Sequence, residues 1–337
     1  MTHCKIFDRK TTAGNIASGA EAMSQTAVTR ITTAALLGAA LIFPTIALAQ
    51  MPPDIAQKIA ALGRVVDPEN TGKIYTPLQE KEPYAGVKVM RDVKYGSDAR
   101  NVVDIFVPET GAAARPVLMF VHGGGMIRGN KHPPGSAFYD NIMLFAAHHG
   151  MVGVNVEYRL APEHPWPAGN EDLAAAVRLV ADKAADLGAD PNRVFLMGHS
   201  AGATHVASYV SHPEFAPKGP GLAGAILSSG GYDFTKGEQS DGRTAYFGSD
   251  PALLAQRSAV AGLIKTKIPL MMSSAELDPP PIAAQSALLK DALCKSEHGC
   301  VRSIVLPKHS HMSESYAINT ADTQLSDQML EFIKTGK

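Results

Sequence analysis

Leu196-Met197-Gly198-His199-Ser200-Ala201-Gly202 carries the pattern G-x-S-x-G centred on Ser200. The apolar run Arg193-Val194-Phe195-Leu196-Met197 leads into it, and Ala201 to Val210 continues as a helical pattern. A serine held on a sharp strand-to-helix turn needs small neighbours, because bulky side chains would clash there. Such a turn exposes the hydroxyl at the carboxyl edge of a sheet. Ser200 is therefore a candidate nucleophile, and its setting predicts an α/β fold.

The flanking sequence extends that fold. Strand-like runs at Val87 to Tyr95 and Asn101 to Val107, joined through Gly96 to Arg100, predict an opening antiparallel hairpin. Unbroken apolar runs follow at Pro116 to Val121, Met151 to Glu157, Arg193 to Met197, Leu222 to Ser228, Ile268 to Ser273 and Val301 to Leu306. Helical patterns alternate with them at Ala137–His149, Glu171–Leu187, Ala201–Ser211, Pro281–Ala292 and Ser315–Thr335. Continuous apolar strands separated by helices imply a mostly parallel central sheet covered on both faces. Residues 50–85 read as an N-terminal helical cap segment with pieces at Pro53 to Leu62 and Pro77 to Lys81. The catalytic domain is expected over 86–337, with a cap insertion at 232–265 lying over the carboxyl edge of the sheet.

Composition narrows the function classes. The chain has 337 residues, is 45% hydrophobic and 19% charged, and has a formal net charge of -1, so it is ordinary globular protein with no electrostatic footprint for nucleic acid. Residues 1–49 differ from the rest. Arg30 precedes a short apolar run broken by Pro44 and ending in Ala47-Leu48-Ala49. This reads as a secretory signal peptide cleaved before Gln50, with Met23 as an alternative start. An uncleaved anchor is the competing reading, but the run is short for a span of about 20 residues. Secretion or periplasmic export is the expectation, with no stable membrane span after cleavage. Cys294 and Cys300 would remain, and an oxidising compartment permits a disulfide between them.

A serine hydroxyl is a weak nucleophile without a base, and the base needs an orienting acid. Both should follow the serine in chain order, at later strand ends. Asp278 follows the Ile268 run in Ala275-Glu276-Leu277-Asp278-Pro279, with Glu276 as its competitor. Pro307-Lys308-His309-Ser310-His311-Met312 offers two bases; His311 is preferred and His309 is second. This H-x-H pair lacks the further ligands a metal site would need. His122-Gly123-Gly124-Gly125 follows the Pro116 strand, where glycines let backbone N–H groups approach a substrate. Gly124 and Gly125 are expected to donate to an oxyanion from one side and Ala201 from the other, with His122 and Gly123 in support. His199 is expected to be structural. In the proline-rich stretch 158–168, Arg159 and Glu163 are expected to form an ion pair that fixes the loop.

Taken in order, HGGG at 122–125, YRLAPEHPWPA at 158–168, GHSAG at 198–202, LDP at 277–279 and a late histidine resemble the alpha/beta-hydrolase superfamily. The resemblance is nearest to the hormone-sensitive-lipase-like esterases and carboxylesterases. It implies a triad of Ser200, Asp278 and His311 and an oxyanion hole of Gly124, Gly125 and Ala201. It further implies hydrolysis of small or polymer-borne carboxylic esters, often with short acyl chains, and no cofactor or metal. Two features depart from the family pattern: Met126 stands where an aromatic residue often follows HGGG, and the H-x-H at 309–311 is like that of formamidase-like and polysaccharide-esterase-like enzymes. A peptidase on the same fold would carry a large extra domain. A dehydrogenase would need G-x-G-x-x-G after its first parallel strand, which is lacking.

Overall fold

The computed structural model describes residues 50–336 apart from 217, 218, 220, 238 and 298. The expected signal peptide at 1–49 and the alternative start at Met23 lie outside the described residues. Eight strands form one sheet: β1 (Val87–Lys94), β2 (Val102–Pro108), β3 (Arg115–Val121), β4 (Val152–Val156), β5 (Ala189–His199), β6 (Gly224–Ser228), β7 (Leu270–Leu277) and β8 (Arg302–Ser310). Their order is β1-β2-β4-β3-β5-β6-β7-β8. β1 and β2 pair antiparallel, as do β2 and β4; every pairing from β4–β3 to β7–β8 is parallel.

The strand residues split by parity between two cores. Val117, Met119 and Val121 of β3 and Val194 and Leu196 of β5 face one core, while Leu118, Phe120, Phe195 and Met197 face the other. A strand buried on both faces has no polar side, which is why these runs are unbroken. Helices α4 (Ala168–Asp182), α5 (Ala184–Leu187), α6 (Ala201–Ser211) and α10 (Pro280–Cys294) contribute to the first core. The second takes α1 (Pro53–Leu62), α3 (Asp140–His148) and α12 (Gln324–Thr335). Cys294 at the end of α10 is joined to Cys300 by a disulfide.

Three helical expectations need correction, and one helix was not expected. Residues Glu171–Leu187 divide at Lys183 into α4 and α5. Residues Ser315–Thr335 divide into α11 (Ser313–Tyr316) and α12, because Asn319 takes a left-handed φ of 66° and turns the chain. Helix α2 (Pro68–Tyr75) was not expected at all, since Asn70, Thr71 and Gly72 are poor helix formers. It forms because Asp67 caps it, accepting from Asn70 N at 2.9 Å, and Pro68 opens it. The second expected piece, Pro77 to Lys81, is reduced to one 3₁₀ turn at Thr76–Leu78.

The 50–85 segment packs beside the last strand: α1 lies on β8 and α2 on α11. Gln79 donates to the carbonyls of Tyr316 and Ile318 at 2.8 and 3.3 Å. The insertion carries α7 (Asp241–Phe247), α8 (Pro251–Arg257) and α9 (Val260–Leu263). Its Phe234, Tyr246, Phe247 and Leu254 form a third apolar cluster with Met126, Ala161 and Ala201. Among the described residues no helix is long and apolar enough to cross a membrane.

Candidate active site

The parallel strands end at one edge, and chemistry sits on the first residue beyond each end. His122 follows β3, Glu157 follows β4, Ser200 follows β5, Ser229 follows β6, Asp278 follows β7 and His311 follows β8. Sheet register therefore assembles the site from residues far apart in sequence.

Ser200 has φ 58° and ψ -123°, a conformation that costs an L residue about 1–3 kcal/mol. The turn is held by Ser200 N donating to Ser228 O at 2.9 Å and by close packing at two glycines. A Cβ on Gly198 would fall 2.3 Å from the Gly202 carbonyl, and one on Gly202 would fall 2.0 Å from Val121 O. Both positions must be glycine, and the second contact seats the turn against the end of β3. Ser200 also caps α6, so the helix dipole favours negative charge beside it.

The end of β3 brings in the glycine loop. A Cβ on Gly123 would lie 3.1 Å from Ser200 Cβ, so the loop touches the Ser200 turn. Gly124 has φ 128° and packs on the Arg128 carbonyl, while Gly125 has φ 61°. His122 anchors this loop from within the core. Its Nδ1 lies 2.6 Å from Gly123 O, its Nε2 lies 2.9 Å from Glu157 Oε1, and its ring stacks on Tyr158. Glu157 also accepts from Lys131 N at 2.9 Å and pairs with Arg100. Burial is the largest influence and opposes its charge, but His122, the Lys131 N–H and Arg100 together outweigh it and hold the carboxyl below its usual range.

Asp278 and His311 meet across β7 and β8, with His311 Nδ1 2.8 Å from Asp278 Oδ1 and both side chains fully buried. The other oxygen, Oδ2, accepts from Ser229 Oγ at 2.7 Å and Ala275 N at 3.0 Å. Burial works against the Asp278 charge, yet the His311 ring and these donors hold its pKa below the ordinary value. His199 Nε2 donates to the His311 carbonyl at 2.8 Å, so the residue before Ser200 fixes the backbone of the histidine. Burial pushes the His199 ring down to about 3, leaving it neutral. His311 Nε2 is buried and bonds to none of the described residues.

The competing positions are occupied otherwise. Glu276 is exposed and accepts from Lys308 N at 2.6 Å, bracing β8. His309 is the penultimate residue of β8; its Nδ1 lies 3.1 Å from Ser313 Oγ and its Nε2 3.1 Å from Asp322. The expected Arg159–Glu163 pair is absent. Arg159 instead bonds Asp172 at 2.8 Å and Glu171 at 2.9 Å on α4, while Glu163 is exposed. The 158–168 loop turns back over the start of α4, so nearness in sequence did not predict the partner.

A cleft of about 190 Å³ opens on Ser200 and is lined by Gly125, Met126, Ala201, Phe234 and Ile282, with Arg243 and Gln285 among its polar residues. Sequence reasoning missed Ser229, Glu157 and the acid Glu314, which lies 2.5 Å from Ser229 Oγ. The strand-end position of Ser229 and Glu157 was a usable signal; Glu314 offered none.

A family profile described as the alpha/beta hydrolase fold matches residues 118–287, about half of the chain. The chain belongs to the alpha/beta-hydrolase family. In this alpha/beta hydrolase the matched span holds the glycine loop, Ser200 and Asp278, while His311 lies beyond it. The chain is similar to phenmedipham hydrolase of Pseudarthrobacter oxydans, 34% identical over 120 residues that cover 33% of this chain and 23% of the relative. It is similar to carboxylesterase NlhH of Mycobacterium tuberculosis, 39% identical over 114 residues that cover 33% of this chain and 34% of the relative. The matches thus span about a quarter to a third of these relatives' lengths. Among solved structures, a truncated form of a carbohydrate esterase from gut microbiota shares the fold with a TM-score of 0.64 at 18% identity, covering 76% of this chain and 99% of that one.

Proposed function

We propose that this alpha/beta hydrolase is a serine carboxylesterase acting on short-acyl carboxylic esters through an acyl-enzyme on Ser200. The observation that carries the reading is the buried Asp278–His311 pair, whose Nε2 is unbonded among the described residues and whose backbone is tied to the residue preceding Ser200. Asp278 holds the proton on Nδ1, which leaves Nε2 as the basic nitrogen. His311 takes the Ser200 proton as the hydroxyl attacks the ester carbonyl. Backbone N–H groups of Gly124, Gly125 and Ala201 receive the oxyanion, aided by the α6 dipole. The alcohol leaves with a proton from His311, and water repeats the attack on the acyl-enzyme. The small volume of the cleft and its Met126, Phe234 and Ile282 walls favour a short acyl group. The carboxylesterase and hydrolase relatives support the class of reaction.

The test is a set of initial rates on 4-nitrophenyl esters from acetate to palmitate, with wild type and Ser200→Ala. The expected profile peaks at the short esters, and the substitution lowers kcat by roughly 10⁶-fold without changing the melting midpoint. Wild type that is inert on every ester, or a Ser200→Ala variant that keeps its turnover, would sink the reading.

A further inference from the structure

Glu314 takes no part in the scheme above, yet it sits behind the acid. It is the second residue of α11, fully buried, and its Oε2 lies 2.5 Å from Ser229 Oγ. The same hydroxyl lies 2.7 Å from Asp278 Oδ2. Ser229 is fixed between the two carboxyls: its φ is 50°, and its N–H donates to Ser273 O at 3.0 Å. A hydroxyl carries one proton and can donate to one carboxylate only. Asp278 is the ionised partner, because it also faces His311 Nδ1 and Ala275 N. The second contact must then run the other way, with Glu314 donating to the Ser229 oxygen.

We propose that Glu314 is a neutral, proton-bearing positioning acid that acts through Ser229 to orient the Asp278 carboxylate, and that its ionisation releases this hold. The proposal rests on the esterase reading. Burial, and then the Asp278 charge, push Glu314 up to about 8, in keeping with a proton held at neutral pH. The groups around it supply no compensating cation. Asp278 faces it from the turn after β7, with His311 beyond. His199, at the end of β5, has Nε2 3.9 Å from Oε2 and is kept neutral by burial. Tyr232, from the segment after β6, is raised by burial first and stays protonated. From β8, His309 is turned to Ser313 and Asp322; from α2, Tyr75 interacts with the same two residues. Among the described residues no Lys or Arg bonds to Glu314.

The sign follows from a raised carboxyl pKa. The neutral form dominates in the fold below about 8 and is lost as pH rises through that value. Above it, two carboxylates compete for one hydroxyl proton, and Asp278 loses its fixed orientation toward His311.

The experiment measures kcat and KM against pH on the preferred ester for wild type, Glu314→Gln, Glu314→Ala and Ser229→Ala, with infrared difference spectra of the full protein. Wild-type kcat is expected to fall about tenfold above pH 8 at steady KM. Glu314→Gln keeps an N–H donor for Ser229 and cannot ionise, so it should abolish that descent. Glu314→Ala and Ser229→Ala should lower kcat at neutral pH roughly 10- to 100-fold, and Glu314→Gln should regain most of the Glu314→Ala loss. A protonated-carboxyl band present at neutral pH and missing from Glu314→Gln completes the expected result. A Glu314→Gln variant with the wild-type alkaline descent, or no such band in an active wild type, overturns the relay and leaves the esterase reading standing. The band present in a wild type that hydrolyses no ester overturns the esterase reading and, with it, any catalytic role for the relay.

Discussion

The two halves of the site are built from different materials. Beside the ends of β3 and β5, the structure is backbone: Gly124, Gly125, Met126 and Ser200 all have positive φ, and Gly198 and Gly202 let main chains approach where a Cβ would collide. Beside the ends of β6, β7 and β8, the structure is side chain: Ser229, Asp278, His311 and Glu314 are buried, bonded to one another and starved of solvent. The first half holds its precision in backbone conformation: Met126 and Ser200 carry a strain of about 1–3 kcal/mol each, while the glycines take positive φ without that cost. The second stores it as unshared protons in a low-dielectric interior, where an unmatched donor or acceptor is costly. Shape should therefore break the first half, and proton count the second.

The sharpest test of that contrast is Asp278→Asn, which preserves shape and changes only protons. Oδ2 of Asp278 accepts from both Ser229 and Ala275 N, so the Asn oxygen must occupy that place. The Asn amide nitrogen then faces His311 Nδ1 and donates to it, forcing the proton onto Nε2. A protonated Nε2 cannot accept from Ser200. The expected loss is about 10⁴-fold in kcat with little change in KM, measured alongside histidine ring NMR to read the tautomer. Near-wild-type turnover would show that Asp278 does not set the tautomer.

The counterpart on the backbone side is a single methyl. A Cβ on Gly124 would fall 2.0 Å from the Arg128 carbonyl at φ 128°, whereas one on Gly125 meets nothing within 4 Å at φ 61°. Gly124→Ala must displace the loop, so kcat should fall about 10²–10³-fold, as for loss of an oxyanion donor. Gly125→Ala keeps its backbone at a cost of roughly 1–2 kcal/mol and should lose less than tenfold in kcat. Paired kinetics and melting curves decide it; equal losses at the two positions would mean that the loop is not held by the Arg128 contact.

The same contrast explains what could be read before folding. Glycine is a local demand of the backbone, so Gly123–Gly125, Gly198 and Gly202 announce their turns in the sequence itself. The unbroken apolar runs of β3 to β7 announce a sheet covered on both faces, and parallel order places their ends on one edge. Asp278 and His311 were legible because strand ends are where such a sheet displays chemistry. The Ser229–Glu314 contact was not, because it depends on how the β6 end and α11 meet across 85 residues of chain. Helix α2 was hidden by its weak interior, although Asp67-Pro68 is a cap and first-turn pair visible in the sequence.

Arg159 marks the boundary between the two kinds of information. Glu163 was its expected partner by nearness, but Arg159 bonds Asp172, which is buried, and its own N–H donates to the same carboxylate at 2.8 Å. Burial raises the Asp172 pKa and the Arg159 contacts oppose that rise. Removing the guanidinium leaves a buried carboxylate short of a charged hydrogen bond, an interaction that contributes about 1.5–3 kcal/mol. Arg159→Ala should lower the melting midpoint accordingly and, because Ala161 N holds the Met126 carbonyl at 3.0 Å, loosen the backbone beside the glycine loop. Glu163→Ala removes only an exposed charge and should leave the midpoint where it was. Thermal melts of the two variants and of the double variant test this directly: a midpoint loss shared by Glu163→Ala would restore the local pair, and an additive double variant with all of the loss in Arg159→Ala assigns the loop to its contact with α4.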